Sequence, residues 1–69
     1  MTEQVVRVVD AAELCEERGV VELVEFADGW FGLRVGGRLV GPHWHAGDLA
    51  TAFRYFHELR DQLSREADA

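Results

Sequence analysis

The chain has 69 residues, a formal net charge of −6 and a single cysteine. A chain of this length forms one domain that buries only about 60% of the surface its unfolded form exposes, and one cysteine excludes an internal disulfide. Because the sequence shows no charged and apolar leader and no apolar run near the ~20 residues of a membrane span, we expect one soluble cytoplasmic domain over residues 1–69, with no membrane partner.

The negative charge is concentrated in the first half of the chain. Residues 1–29 contain eight acidic residues and two arginines, whereas residues 30–69 contain five of each. A field of one sign attracts partners of the opposite sign, and net negative charge repels nucleic-acid phosphates. The charge pattern therefore favours a basic protein partner and disfavours direct nucleic-acid binding.

The start of the chain carries one strand signal followed by one helix signal. Residues 4–9 include four valines in six positions, which favours a strand. Asp10 and Glu13 have the spacing of a helix-capping box, and Gly19 stands where a helix often ends. We therefore predict a strand over residues 4–9 and a helix over residues 11–18. A single helix from about residue 3 is the alternative, because helical spacing also relates Val5, Val8, Val9 and Ala12.

Three apolar runs follow, at residues 20–27, 30–35 and 38–41, and glycine-containing turns separate them. Asp28-Gly29 and Gly36-Gly37 are pairs typical of type I′ turns, whose two central residues both need a positive φ. The runs predict a three-stranded antiparallel meander. Period-two alternation along its middle strand places one set of side chains on one face, Phe31, Leu33 and Val35, and the other set on the opposite face, Trp30, Gly32 and Arg34.

An amphipathic helix is predicted from the N-cap residue Asp48 to about Arg65, with residues 66–69 as a frayed tail. Phe53 and Phe56 are expected to face the sheet. The full apolar stripe recurs at three- and four-residue intervals, at Leu49, Ala52, Phe53, Phe56, Leu59 and Leu63, and the opposite side carries Arg54, Glu58 and Asp61.

Arg60 falls inside the apolar arc of this helix. Two interpretations are open. In the first, its methylenes cover the edge of the core and its guanidinium reaches water. In the second, it pairs with a carboxylate such as Glu22 or Glu25, within the chain or across a dimer interface, because a buried unpaired guanidinium is costly.

Taken together, these elements predict an α+β fold of order β-α-β-β-β-α. An antiparallel sheet of three or four strands would carry the long C-terminal amphipathic helix packed on one face.

Catalytic and metal sites are not predicted. His43 and His45 could share a metal ion in an extended segment, but a stable site needs three or four ligands, and no diagnostic spacing relates them to His57, Cys15 or Asp48. The thiolate of Cys15 is disfavoured by its acidic neighbours Glu16 and Glu17. A metal- or thiol-dependent enzyme is the least favoured function, and no cofactor is expected.

The predicted function is non-catalytic protein binding. In size and charge the chain resembles small acidic inhibitors of phages and mobile elements, including those directed at CRISPR effectors, and this is a similarity of composition only. Such a protein, an inhibitor or accessory factor, would occupy a basic and nucleic-acid-binding surface of a larger partner. The alternative is a structural or regulatory homodimer that associates through a Trp/Arg sheet face. The candidate binding residues are Glu16, Glu17, Glu22, Glu25, Asp28, Trp30, Arg34, Arg38 and Trp44.

Overall fold

A computed structural model describes residues 4–14 and 19–68 of the chain, with side chains as far as residue 65. Four antiparallel strands form one sheet in the order β1-β2-β3-β4, and an α-helix follows them. The fold is therefore α+β, as predicted. The elements are β1 (Val5–Glu13), β2 (Val20–Phe26), β3 (Phe31–Val35), β4 (Arg38–Trp44), a 3₁₀ turn (Ala46–Asp48) and α1 (Leu49–Asp68).

The prediction of a helix over residues 11–18 is wrong for its described part. Residues 11–13 continue β1, where Ala11 lies opposite Glu22 and Glu13 lies opposite Val20. The carboxylate of Asp10 accepts a hydrogen bond from the backbone N–H of Ala11, which is a local contact within a strand and not a helix cap. Residues 15–18 lie outside the described residues. The strand predicted over residues 4–9 is confirmed, and the alternative helix from residue 3 is wrong.

The meander of β2, β3 and β4 is confirmed, but its two turns differ. Gly36 and Gly37 both have positive φ, at 57° and 84°, as a type I′ turn requires. At the other turn only Gly29 has a positive φ, and Phe26 makes two backbone bonds: its N–H donates to the Trp30 carbonyl and its carbonyl accepts from Gly29 N–H. This pattern is a type I turn followed by a glycine bulge, so the prediction of a type I′ turn at Asp28-Gly29 is wrong.

The C-terminal helix begins at Leu49 and continues to Asp68, three residues beyond the predicted end. Asp48 is the last residue of the preceding 3₁₀ turn, and its N–H donates to the carbonyl of His45. Fraying of residues 66–69 stays a prediction. Arg60 is partly exposed and its guanidinium lies 3.1 Å from the carboxylate of Asp61, which fits the interpretation that its charged end reaches water.

One buried cluster joins the helix to the sheet. Ala52 and Phe56 of α1 lie in this cluster, and Leu49, Phe53 and Leu59 pack against it while remaining partly exposed. The predicted apolar stripe therefore faces the core, because one turn of helix returns every third or fourth side chain to the same side. The sheet contributes Val21, Leu23, Phe31, Leu33 and Trp44.

The strand register defines two faces of the sheet, since residues directly opposite each other share a face. We call the face that carries Leu23 and its partner Leu33 the first face; both side chains belong to the buried cluster. The second face is the opposite one. It carries three register pairs, Glu22 with Arg34, Val24 with Gly32 and Arg34 with Leu39, and on β1 it carries Val8 opposite Val24.

Candidate functional site: surfaces for a protein partner

Glu22, a predicted partner-binding carboxylate, is bound to an arginine of its own sheet. Its Oε1 atom lies 2.8 Å from Nε of Arg34, and the two residues are directly opposite each other on β2 and β3. This hydrogen bond raises the pKa of the Arg34 guanidinium above its ordinary value, against the opposing effect of burial. Both side chains are mostly shielded from water. The carboxylate of Glu22 is therefore held in an ion pair within the second face and is not a free acidic group on the surface.

The other predicted acidic residues have different environments. Glu25 accepts a hydrogen bond of 2.9 Å from Nε of Arg7, in a pair that is more exposed than the Glu22–Arg34 pair. Asp28 is exposed and accepts a hydrogen bond from the backbone N–H of Trp30, which holds the turn between β2 and β3. Two further candidates, Glu16 and Glu17, lie outside the described residues, as does Cys15.

The predicted Trp/Arg face is not formed as one surface. Arg34 lies on the second face, whereas Arg38 is opposite Val35, whose side chain packs on the buried cluster. Trp44 lies opposite Phe31 inside the cluster. The cause is the two-residue turn at Gly36-Gly37, which sets Arg38 opposite Val35 and Val40 opposite Leu33. Trp44 is an even number of residues further along β4 and lies opposite Phe31, so Arg38, Val40 and Trp44 share the first face. The register is irregular between Val40 and Trp44, where the intervening residues lie opposite Gly32 alone, but it leaves Trp44 on that face.

The second face exposes aliphatic surface around the ion pair. Val8 is 44% exposed and Leu39 is 42% exposed, on opposite sides of the Glu22–Arg34 pair. Val24, between them, is fully buried. Exposed aliphatic side chains on both sides of a paired arginine fit the composition of protein–protein contacts, where bulk hydrophobicity is modest and arginine is enriched.

Gly32 brings two rings onto the second face. A Cβ atom at Gly32 would lie 2.8 Å from a ring carbon of Phe26 and 3.1 Å from a ring carbon of His43. The rings of Phe26 and His43 are themselves 4.8 Å apart. The absence of a side chain at residue 32 therefore makes room for this ring pair, which was not predicted from the sequence. The signal that could have shown it is a glycine in the middle of an apolar strand.

His43 and His45, which were considered and not predicted as metal ligands, each contact a different aromatic ring. The ring of His45 is tilted by 42° to the ring of Trp30, with centroids 3.7 Å apart, and His43 contacts Phe26. Within residues 4–14 and 19–68, no group of three or more histidine, cysteine, aspartate or glutamate side chains is close enough to hold a metal ion. His57, the third histidine, contacts the rings of two helix residues, Phe53 and Phe56.

A groove of about 360 Å³ lies between β4 and α1, and it was not predicted from the sequence. Its sheet side is formed by Leu33, Val40, Gly41 and Pro42, and its helix side by Tyr55, Glu58, Leu59 and Gln62. The helix residues are spaced at i, i+3, i+4 and i+7, which places them along one line of the helix surface. Tyr55 does not belong to the predicted apolar stripe. The signal in the sequence that could have shown the groove is the helical spacing that relates Tyr55 to Leu59 and Gln62.

No protein-family model, curated protein or solved structure matches this chain. Among the described residues, no helix is both long enough and apolar enough to cross a membrane.

Proposed function

We propose that this chain is a non-catalytic protein-binding module that docks on a basic surface of a larger protein, as an inhibitor or accessory factor. The observation that carries the proposal is the second face, where Val8 and Leu39 expose aliphatic surface beside an ion-paired arginine. In this proposal α1 packs on the first face alone and leaves the second face for the partner. Docking would then cover the aliphatic area, which stabilises the complex by removing apolar surface from water.

The charge of the chain indicates the sign of the partner. Residues 1–29 contain eight acidic residues, and the pairs of Glu22 with Arg34 and Glu25 with Arg7 account for two of them. The other six are opposed in that segment by Arg18 alone, because Arg7 is already paired. A field of this kind speeds the encounter with a positively charged surface over about one Debye length, roughly 8 Å at physiological salt.

The module is proposed to act by binding alone, without a metal, a cofactor or a covalent intermediate. In this proposal the contacts of His43, His45 and His57 with aromatic rings are packing contacts that hold these side chains in place.

The test uses the purified chain as an immobilised bait in lysate of its source cell, followed by rate measurements on the partner recovered. We expect association to slow steeply with added salt while dissociation changes less. Replacing Glu16 and Glu17 with glutamine should slow association in the same way. The matched control replaces Asp48 and Asp61 with asparagine, which changes the net charge equally in the second half of the chain. The proposal would be contradicted if the two double variants changed the association rate equally, or if added salt did not change it.

A homodimer through the second face is the second candidate. The same aliphatic area of Val8 and Leu39 favours it, although Trp44 is in the buried cluster and contributes no surface to such a contact. Light scattering separates the two: the binding module is expected to be monomeric at micromolar concentration. A dimer that Leu39→Glu converts to a monomer would favour the homodimer instead.

A further inference from the structure

The groove between β4 and α1 is apolar, partly preformed and accessible. Val40 and Tyr55 are 38% and 47% exposed at its walls, whereas Leu33 at its base is buried. Ligand pockets in proteins have volumes of about 300 to 1,000 Å³ and are lined mainly by apolar side chains. At about 360 Å³ the groove has room for one large apolar side chain of a partner.

Both walls of the groove are held in place by the fold. The ring of Tyr55 lies 5.3 Å from the ring of Trp44, which belongs to the buried cluster. On the other wall, Gly41 has a φ of 73° and begins the irregular part of β4, and Pro42 fixes the next backbone angle. A wall that is already ordered costs little conformational entropy when a ligand binds.

The charge of the groove is set by one carboxylate. Glu58 is the only charged residue among the described residues of the lining, and it is exposed. Within the described part of the chain, Glu58 makes no ion pair and no side-chain hydrogen bond. Tyr55, three residues earlier on the same line of the helix, adds an aromatic face that attracts cations. The groove therefore complements an apolar group that has a positive charge next to it.

We propose that the groove binds an apolar side chain of the partner protein, with a neighbouring arginine of that partner on Glu58. This inference rests on the proposed function, because it gives the same basic partner a further contact beside β4, on the other side of the sheet from the second face. The apolar side chain fills the space between Val40 and Leu59, and the guanidinium pairs with the carboxylate of Glu58 at the rim. Apolar filling supplies affinity, and the carboxylate selects arginine over a neutral side chain.

Three short probes test the groove on the full chain: N-acetyl-Phe-Arg-amide, N-acetyl-Phe-citrulline-amide and N-acetyl-Gly-Arg-amide. Citrulline has the shape of arginine without its charge. Titration followed by methyl and aromatic NMR shifts should place the Phe-Arg probe at Val40, Leu59 and Tyr55. The citrulline probe should bind about two- to fivefold more weakly, as an exposed ion pair predicts, and the Gly-Arg probe should show no saturable shift.

Two variants assign the preference to the groove. Glu58→Gln should remove the difference between the Phe-Arg and Phe-citrulline probes, whereas Asp48→Asn, which changes the net charge equally outside the groove, should keep it. Gln62→Trp, at an exposed lining position, should fill the groove and abolish binding of all probes with an unchanged melting temperature. If that variant unfolds, the shift map on the unmodified chain still decides where the probe binds.

Shifts outside the groove, no saturable binding of the Phe-Arg probe, or an arginine preference that survives Glu58→Gln would each overturn the inference. Failure of the proposed function looks different, because it appears as partner association that ignores salt and the acidic variants. The probes report on the groove alone, so either proposal can fail while the other stands.

Discussion

Replacing Phe56 with alanine is the most direct test of how the helix meets the sheet. The side chain of Phe56 is 1% exposed and belongs to the cluster that it shares with Leu23 and Leu33. Truncating a fully buried phenylalanine costs about 3 to 5 kcal/mol, because transfer energy is lost and a cavity remains. At about 0.05 to 0.15 kcal/mol per residue, a chain of 69 residues has roughly 3 to 10 kcal/mol of stability. We therefore expect Phe56→Ala to be largely unfolded or close to its unfolding midpoint at room temperature.

Two aromatic neighbours on the same helix provide matched controls. Phe53 packs against the cluster but is only partly buried, so Phe53→Ala should cost about 1 to 3 kcal/mol. Tyr55 is 47% exposed, so Tyr55→Ala should cost least. Urea unfolding followed by circular dichroism measures all three, and Phe56→Leu gives a smaller truncation if the alanine variant does not fold. A larger loss for Phe53→Ala or Tyr55→Ala than for Phe56→Ala would show that a different side of the helix faces the sheet.

Two further predictions concern the second face. Gly32→Ala should destabilise the chain by about 1 to 3 kcal/mol in urea unfolding, because the new Cβ meets a packed ring at 2.8 Å. The control Gly47→Ala should be close to neutral, because no atom lies within 4 Å of the new Cβ. Equal losses of stability in the two variants would contradict the ring contact at Gly32. Glu22→Gln should cost about 1 to 2 kcal/mol, because it weakens a shielded, charge-assisted hydrogen bond, whereas Glu25→Gln at the more exposed pair should cost less than about 1 kcal/mol. The reverse order in thermal unfolding would show that burial does not set the strength of these pairs.

The parts of the fold that were predicted correctly are those set by neighbours in sequence. The glycine pair at residues 36–37 and the stripe that includes Ala52 and Phe56 act within one turn of chain, so the residues themselves determine the conformation. The helix over residues 11–18 was wrong in its described part because pairing with β2 decides the conformation of residues 11–13. A capping-box spacing is weak evidence when a neighbouring strand offers a full ladder of hydrogen bonds.

The candidate site was less predictable because it depends on the register. Trp44 was predicted to lie with Arg34, but the Gly36-Gly37 turn pairs Arg38 with Val35, so the alternate residues of β4 that include Trp44 lie on the face of the cluster. Charge alone also could not predict which acidic residues are free to bind a partner. The sequence shows that Glu22 is acidic, but only the structure shows that Nε of Arg34 lies 2.8 Å from its carboxylate. The groove lined by Tyr55 needed both the helix and β4 in place before it could be recognised.

Both edge strands of the sheet are irregular, and this affects whether copies of the chain can associate through their sheet edges at high concentration. The register of β1 shifts twice, between Val5 and Arg7 and between Val8 and Asp10. On the opposite edge, β4 contains a bulge and Pro42, which has no N–H to donate. A second chain that approached either edge would meet a broken row of donors and acceptors, so a continuous intermolecular sheet could not extend from one copy to the next. The chain can therefore expose aliphatic surface on a face of its sheet with little risk of growing into fibrils from its edges.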